Sequence, residues 1–135
     1  GIGLTVYGVF GRGLLTGGWR PGQLGLNDFR NHAPRFQGEA GARNANVAAE
    51  IDRIAAGLGM TAGQVLLAWV VAQGEDIVPL IGARKPSRVA EAVEALEKGL
   101  TAEQVSALEA AIPADAIQGE RYAPGQMAQL DSERG

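Results

Sequence analysis

The stretch Asp76–Leu96, which reads DIVPLIGARKPSRVAEAVEAL, indicates the fold of this chain. It begins with an apolar run, Ile77–Ile81, that is short enough to be a buried strand. After a basic segment, apolar residues return at the spacing of one helix face, at Val89, Val93 and Leu96. The stretch therefore predicts a strand, a short basic loop and the beginning of a helix.

The basic loop in this stretch is a candidate anion site. Three cations, Arg84, Lys85 and Arg88, fall within five residues. Pro86 lies between them and suits the first turn of a helix, where its missing N–H is no loss. Exposed N–H groups and fixed positive charge at a helix N-terminus favour an anion, above all a phosphate. The alternative interpretation is a solvated basic turn that binds nothing.

Composition excludes several classes of site. The chain has 135 residues and no cysteine, so disulfides, zinc–thiolate sites and cysteine nucleophiles are excluded. Its apolar runs are well short of the roughly 18 residues that indicate a transmembrane helix. The first ten residues lack the basic region of a signal peptide. We therefore expect a cytoplasmic protein that does not associate with a membrane.

The net charge of −3 is unevenly distributed. Residues 1–43 carry a net charge of +3, whereas residues 44–135 carry −6. The positive excess lies in the glycine-rich first third of the chain and again around the basic loop. Because neither segment is long and the chain as a whole is acidic, the charge pattern argues against a nucleic-acid partner.

A glycine-rich loop follows the first predicted strand. Apolar residues alternate with others from Ile2 to Val6, which predicts a strand that ends at Tyr7. Five glycines then occur within Gly8–Gly18. Such a loop lets the backbone approach a ligand closely and supplies N–H donors, as phosphate-binding loops do. The alternative is a flexible glycine loop without a ligand.

The sequence GRGLLTG, Gly11–Gly17, superficially resembles a dinucleotide-binding fingerprint. That motif requires a helix immediately after the glycines, within a strand–helix–strand unit. The segment Gly18–Gly22 has the composition of a loop instead, so we reject a Rossmann fold. Residues 19–43 then read as a long irregular excursion of the kind that often serves as a lid. His32, the only histidine, lies there without a sequence-placed partner, and we interpret it as a solvated loop residue.

Four helices are predicted in the rest of the chain. The first extends from about Asn46 to Leu58, and the second begins with a capping box at Thr61–Gln64 and continues to about Gln73. Its Trp69 is predicted to lie in the core. The third follows the basic loop to about Leu96, and the fourth begins with a capping box at Thr101–Gln104 and ends at Pro113. Residues 114–135 form a tail that is either an ordered extension or a frayed end.

The predicted element order is therefore βααβαα, with a glycine loop and a basic loop at the carboxyl ends of the two strands. Strands that are joined through helices imply a parallel sheet. Two parallel strands cannot shield each other's faces, and the chain begins in mid-pattern without an initiator Met. We therefore predict an α/β segment of a larger domain. The closing quarter of a (β/α)₈ barrel fits, since the loops after its last two strands often bind phosphate.

Several motifs of the chain resemble the aldo-keto reductase family, and in particular its bacterial NADP-dependent members. The matching segments occur in the right order and cover essentially the whole chain: Ile2–Tyr7, Gly11–Gly17, Pro34–Glu39, Leu67–Trp69, Asp76–Pro79 and Gly119–Tyr122. The resemblance implies that the chain is the C-terminal part of a (β/α)₈ TIM barrel, with its seventh and eighth strands and their helices. It also implies reduction of aldehydes or ketones by hydride transfer from NADPH, without a metal.

The resemblance assigns cofactor-binding roles to ten residues. In the family, the tyrosine that ends the seventh strand stacks on the nicotinamide, and here that residue is Tyr7. The loop after this strand runs along the pyrophosphate, and the loop after the eighth strand holds the adenosine 2′-phosphate, with an acidic residue near the adenine. The corresponding residues in this chain are Gly8, Phe10, Gly11 and Arg12 for the first loop, then Gly82, Ala83, Arg84 and Arg88 for the second, and Glu91 beside the adenine.

Departures from the family pattern limit what the chain can do alone. Gly8 replaces a serine and Ala92 replaces an asparagine, and each lost hydrogen bond weakens cofactor binding by about 1 kcal/mol. The family's catalytic Asp, Tyr, Lys and His lie on earlier strands, so we assign no catalytic residue here and predict that this segment alone is inactive. The small-molecule carbonyl substrate is not identified. The alternative is a non-catalytic nucleotide-binding or interaction half-barrel that pairs with another chain.

Overall fold

The computed structural model describes residues 1–130 of the chain, which contain two parallel strands and five α-helices. In chain order they are β1 (Leu4–Val6), α1 (Gly38–Gly57), α2 (Ala62–Ala72), β2 (Ile77–Pro79), α3 (Pro86–Lys98), α4 (Ala102–Ala111) and α5 (Pro124–Met127). Three short 3₁₀ segments lie between β1 and α1, at Gly11–Gly13, Phe29–His32 and Pro34–Phe36. The predicted βααβαα order is confirmed, with α5 added in the tail.

The register of the two strands sets the position of the loops that follow them. Leu4 pairs with Ile77 and Val6 pairs with Pro79, so the strands run parallel and end level with each other. The backbone N–H of Leu80 donates to the carbonyl of Val6 at 2.7 Å, which fixes that end of the sheet. Because the carboxyl ends coincide, the glycine loop and the basic loop leave the sheet at the same edge.

Both predicted capping boxes form. In the first, Gln64 N donates to Thr61 Oγ1 at 3.1 Å and Thr61 N donates to Gln64 Oε1 at 3.0 Å. The second repeats the arrangement between Thr101 and Gln104, at 2.9 and 3.3 Å. The reciprocal bonds satisfy orphan N–H groups of the first turn and fix where α2 and α4 begin.

Helix α1 begins eight residues before the predicted boundary at Asn46. Its first two turns, from Gly38, contain small and polar residues without an apolar period, so the sequence pattern did not indicate them. These turns pack on the preceding 3₁₀ segment, Pro34–Phe36. The ring of Phe36 in that segment meets the ring of Trp19 edge to face, with centroids 5.2 Å apart, and Trp19 is 1% exposed. The excursion over residues 19–43 is therefore more ordered than predicted.

The core lies between α1, α2 and α4. Ile51 of α1 packs with Leu66 of α2, and Val65 of α2 packs with Leu108 of α4. The prediction that Trp69 is a core residue is wrong in part. Its ring is half-buried, and its Nε1–H reaches outward to donate to Glu109 Oε1 at 3.0 Å.

The apolar face that was predicted for α3 is exposed. Val89, Val93 and Leu96 are between 49% and 56% exposed, and the buried residue of this helix is Ala95. On the sheet, Val78 and Leu80 are also half exposed. This follows from a sheet of two strands, in which each strand has one unpaired edge within residues 1–130 and α2 is the helix that packs against β2.

The tail is an ordered extension as far as residue 130. Asn44 is fully buried in α1, donates to Gln118 O at 2.8 Å and accepts from Gln118 N at 2.8 Å. Arg35 Nε donates to Gly119 O at 3.0 Å. These bonds fasten the tail to α1 and to the segment before it. Residues 131–135 of the predicted tail lie outside the described part of the chain.

Across residues 1–130, no single helix combines the length and the apolar character that crossing a membrane requires. The helix pair Gly38–Gly57 and Ala62–Ala72 meets the length and composition criteria only when the two are taken together, and it is bent by 87°.

Candidate functional site

The two loops predicted to bind the cofactor meet at the carboxyl edge of the sheet, in what we call the inter-loop cleft. It has a volume of about 190 Å³ and lies between the glycine loop, the beginning of α2 and the beginning of α3. Of the ten predicted cofactor residues, four line it: Phe10, Gly82, Arg88 and Glu91. The structure therefore brings together residues that are more than 70 positions apart in the sequence.

Two hydrogen-bond donors hold the carboxylate of Glu91 in one wall of the inter-loop cleft. Glu91 Oε1 accepts a hydrogen bond from Thr61 Oγ1 at 2.6 Å, and Glu91 Oε2 pairs with Arg88 Nη1 at 2.7 Å. The Thr61 hydroxyl, followed by the Arg88 guanidinium, holds the pKa of Glu91 below its ordinary value. Glu91 is therefore ionised near neutral pH, and it orients Arg88 at the edge of the cleft.

A second opening, which we call the arginine cleft, lies on the other side of the glycine loop. It has a volume of about 380 Å³ and contains four further predicted cofactor residues: Tyr7, Gly8, Gly11 and Arg12. Arg35, Arg121 and Tyr122 also line it, although none of these was predicted to be a site residue. They come from the segment before α1 and from the tail, so only the fold brings them to the end of β1.

Arg12 is fixed in an unusual backbone conformation. Its φ of 60° and ψ of 32° place it in the left-handed region, which costs a residue with a side chain about 1–2 kcal/mol. The guanidinium lies 4.4 Å from the ring centroid of Tyr122 and 5.6 Å from that of Phe29. Arg12 Nη1 also donates to Arg121 O at 3.1 Å. These contacts hold the side chain over the arginine cleft and offset the strain.

The two tyrosines of the arginine cleft affect each other's pKa through their hydroxyl groups. Hydrogen bonding with Tyr122 raises the pKa of Tyr7, and the same interaction, followed by the guanidinium of Arg12, lowers the pKa of Tyr122. Tyr7 is 67% exposed, so its ring is open to a stacking partner.

The two remaining predicted cofactor residues, Ala83 and Arg84, lie elsewhere. They line an open groove of about 810 Å³ on the outer side of α3, together with Lys85 and Pro86. Arg84 and Arg88 therefore border different openings at the beginning of the same helix. The predicted cluster of cations exists in the fold, but the structure spreads it around the helix N-terminus rather than gathering it in one cleft.

The described residues suit a phosphorylated nucleotide in charge and in shape. Pro86 is the first residue of a 13-residue helix, and cations border both sides of its N-terminus. A Cβ atom at Gly82 would meet nothing within 4 Å, so this loop is open to a ligand. Gly8, with φ of +75°, turns the chain directly after Tyr7. No three His, Cys, Asp or Glu side chains of residues 1–130 come together as a metal-binding group.

Comparison with known proteins identifies the family. The model of the aldo/keto reductase family matches residues 1–113. The chain is 36% identical over 130 residues to aldo-keto reductase yakc [NADP(+)] of Schizosaccharomyces pombe, covering 96% of this chain and 38% of that protein. It is 34% identical over 133 residues to aldo-keto reductase str7 of Strobilurus tenacellus, covering 98% of this chain and 40% of that protein.

A solved structure shows the same arrangement. The glycerol dehydrogenase AKR11B4 from Gluconobacter oxydans superimposes with a TM-score of 0.74 at 26% identity, over 87% of this chain and 36% of that one. The chain thus spans about two fifths of the length of its relatives and matches part of an aldo-keto reductase barrel. It belongs to the aldo/keto reductase family.

Proposed function

We propose that this chain is the cofactor-binding C-terminal part of an NADPH-dependent aldo-keto reductase that reduces aldehydes or ketones to alcohols. In this proposal β1 and β2 are the seventh and eighth strands of the barrel. The observation that carries it is the strand register, Val6 against Pro79, which delivers the glycine loop and the basic loop to one edge. The S. pombe relative that covers 96% of the chain bears NADP(+) in its name, which supports the choice of cofactor.

The proposal gives each predicted residue a task. Tyr7 presents an exposed ring for the nicotinamide, and Gly8, Phe10, Gly11 and Arg12 run along the pyrophosphate. Glu91 lies near the adenine, and the beginning of α3 receives the 2′-phosphate through Gly82, Ala83, Arg84 and Arg88. When bound, NADPH supplies the hydride for carbonyl reduction. The proton donor and the rest of the catalytic group are assigned to parts of the barrel outside this chain.

The ion pair at Glu91 changes how the phosphate is expected to be held. Because Glu91 already neutralises part of the charge of Arg88, that guanidinium is an oriented hydrogen-bond donor more than a free charge. Arg84 and Lys85 form no ion pair within residues 1–130. They therefore provide most of the uncompensated positive charge at the helix N-terminus, and this excess favours NADP over NAD.

The exposed apolar faces favour a larger assembly. The half-exposed face of α3 and the exposed residues of β2 need neighbours, and the remaining strand–helix units of a barrel would supply them. The same faces support the second candidate, a non-catalytic half-barrel completed by another chain. The two candidates differ in whether one polypeptide carries both this segment and the catalytic residues.

A direct test is NADPH fluorescence titration combined with an aldehyde-reduction assay, on residues 1–135 alone and on the intact polypeptide. We expect residues 1–135 to bind NADPH without turnover, and the intact polypeptide to reduce the aldehyde. Turnover by residues 1–135 at ordinary reductase rates would contradict the assignment of the chemistry to other residues. Absence of NADPH binding by the intact polypeptide would contradict the cofactor assignment.

A further inference from the structure

The glycine loop is held by an arginine that lines neither cleft. Arg30 Nη1 donates to the backbone carbonyl of Arg12 at 3.3 Å. A Cβ atom at Gly13 would lie 3.4 Å from the same Nη1, so the guanidinium lies directly against the peptide that joins Arg12 and Gly13. Within the described chain, Arg30 is not among the residues that line the inter-loop cleft or the arginine cleft. It therefore contacts the loop without facing the space where we place the cofactor.

Asp28 fixes the orientation of Arg30. Arg30 Nε donates to Asp28 Oδ1 at 2.9 Å and Arg30 Nη2 donates to Asp28 Oδ2 at 2.7 Å, the two-bond fork that matches a guanidinium to a carboxylate. Both side chains are 22% exposed. The bonds from Arg30 lower the pKa of Asp28 to about 2, so the pair stays ionised near neutral pH. The fork occupies Nε and Nη2, and Nη1 remains for the loop.

The segment that carries this ion pair also packs against the core and against the side chain of Arg12. Arg30 Cζ lies 5.9 Å from the ring centroid of Phe36, which is 6% exposed. The neighbouring Phe29 has its ring centroid 5.6 Å from Arg12 Cζ. Two consecutive residues of one 3₁₀ segment thus hold Arg12, Arg30 through the backbone carbonyl and Phe29 through the guanidinium.

Capping of the 3₁₀ segment does not account for the side chain of Arg30. The cap is the bond that Asp28 Oδ1 accepts from the backbone N–H of Arg30 at 3.0 Å, and any residue except proline would supply that N–H at position 30. The guanidinium instead reaches a residue 18 positions away whose backbone is left-handed. Because that conformation is unfavourable for a residue with a side chain, a bond that fixes the Arg12 carbonyl helps to keep it populated.

We propose that Arg30, oriented by Asp28, is a positioning residue for the cofactor, because it keeps the glycine loop in the conformation that receives the pyrophosphate. The inference rests on the proposed function, which lays this loop along that group. A loop that is already ordered loses less conformational entropy when a ligand binds, so the affinity is higher. Arg30 acts on cofactor binding through Arg12 and does not touch the cofactor.

The experiment measures the Kd values of NADPH and of NADH with the intact protein, by fluorescence titration. Arg30→Gln should weaken both by about tenfold, the lower end of what one hydrogen bond from a charged group contributes. The two factors should be equal because both cofactors carry the pyrophosphate, whereas a change at the 2′-phosphate site affects NADPH alone. Unchanged affinities in a folded Arg30→Gln protein would overturn the inference, and so would a loss confined to NADPH.

Two controls separate positioning from a general loss of stability. Arg53→Gln removes an equivalent fork on α1, where Arg53 Nε and Nη2 donate to the two carboxylate oxygens of Glu50 at 2.9 and 2.6 Å. Thr101→Ala weakens the fold at the cap of α4. Both variants should keep the cofactor affinities of the natural chain. A loss in Thr101→Ala as large as that in Arg30→Gln would attribute the effect to overall stability and overturn the inference.

Hydrogen exchange tests the loop by itself. The N–H groups of Gly13 and Leu14 donate to Phe10 O at 2.9 Å and to Gly11 O at 3.2 Å, so their exchange rates report how well the loop is ordered. In the cofactor-free protein, Arg30→Gln should accelerate both exchange rates, and unchanged rates would overturn the inference. If the natural protein binds neither cofactor, the proposed function fails, and this measurement still decides whether Arg30 holds the loop.

Asp28→Asn keeps the inference testable if Arg30→Gln does not fold. The amide oxygen can still cap the 3₁₀ segment, but the charge that orients the guanidinium is lost. We expect about a threefold loss of affinity for both cofactors, because a charge-assisted hydrogen bond is roughly twice as strong as a neutral one. Circular dichroism confirms the fold. A folded Asp28→Asn protein with the natural affinity for both cofactors would overturn the inference.

Discussion

Thr61 and Glu91 are 30 residues apart in the sequence, and their side chains are joined by a 2.6 Å hydrogen bond. Thr61 also accepts from the N–H of Gln64 at 3.1 Å, so one hydroxyl both caps α2 and donates to the first turns of α3. Glu91 in turn holds Arg88. The beginning of one helix therefore positions a cation at the beginning of the next.

Removal of this hydroxyl should cost more than the loss of an ordinary cap. Thr61→Ala loses the cap and the bond to Glu91, and we expect a decrease of about 1.5–3 kcal/mol in the free energy of unfolding. Thr101→Ala, in the matching capping box of α4, should cost about 1 kcal/mol. Urea unfolding measures both values. Equal losses for the two variants would show that the contact between the helices contributes nothing.

The lowered pKa of Glu91 predicts a pH dependence of stability. Its folded pKa lies below the ordinary value of 4.5, so the unfolded chain takes up the proton first as the pH falls. The contribution of Glu91 to stability is therefore complete above about pH 4.5, and it is lost as the pH falls through the lower, folded pKa. Urea unfolding from pH 7 to pH 3 should show this loss in the natural chain.

Glu91→Gln should flatten that part of the pH profile, because the amide does not titrate in this range. Glu97→Gln, at an exposed position of the same helix, is the charge-matched control. A carboxyl ¹³C titration of Glu91 with a midpoint at or above 4.5 would contradict the prediction.

The basic beginning of α3 should discriminate between the two nicotinamide cofactors. The double variant Arg84→Ala/Arg88→Ala removes donors that only the 2′-phosphate of NADPH is expected to use. We expect a loss of about 10–100-fold in NADPH affinity, from one or two charge-assisted hydrogen bonds, and little change in NADH affinity. Arg43→Ala/Arg53→Ala, on the exposed side of α1, controls for net charge. Equal effects on the two cofactors would disprove the 2′-phosphate assignment.

Two glycines of α1 should respond to alanine with opposite signs. A Cβ atom at Gly41 would lie 2.8 Å from the backbone carbonyl of Phe36 and 3.2 Å from the ring of Trp19. Gly41→Ala should therefore destabilise the fold by about 1–3 kcal/mol, as overpacking does. At Gly57 a Cβ atom would meet nothing within 4 Å, and Gly57→Ala should stabilise the fold by about 0.5–1 kcal/mol. Thermal unfolding curves with shifts of the same sign would refute this.

Asn44 should be the most costly polar residue of α1 to replace. Its side chain donates to Arg35 O and Gln118 O and accepts from Gln118 N, each at 2.8 Å. Asn44→Ala leaves these groups without partners, which we expect to cost about 2–4 kcal/mol and to loosen the tail. The exposed Asn46→Ala should be nearly neutral. Hydrogen exchange at Gln118 that stays slow in Asn44→Ala would argue against this attachment of the tail.

Local patterns in the sequence were sufficient to predict the helices whose first residues are marked by a capping box or by proline. The capping boxes at Thr61 and Thr101 placed the beginnings of α2 and α4, and Pro86 placed the beginning of α3. The beginning of α1 was missed, because contacts with Trp19 and Phe36 hold its first turns and no apolar period marks them. Partial burial of Trp69 was missed for the same kind of reason, since burial depends on what a residue faces.

For the candidate site, the sequence indicated both loops but not their surroundings. The basic loop and the glycine loop carry recognisable compositions, and parallel strands require their carboxyl ends to meet at one edge. Arg35, Arg121 and Tyr122 also line the candidate site, but no composition or spacing in the sequence places them there. Their position depends on a tail that returns across the end of β1 and is fastened through the buried Asn44.

The sequence by itself therefore determined the element order, the parallel sheet and the two loops that resemble those of the family, because helix caps, apolar periods and glycine content act over a few residues. Only the tertiary structure decided that Glu91 is held by Thr61, that the cations at α3 border two separate openings, and that three arginines converge beside Tyr7. Those relationships join positions 30 to more than 100 residues apart, and no local pattern encodes which distant side chain fills a given space.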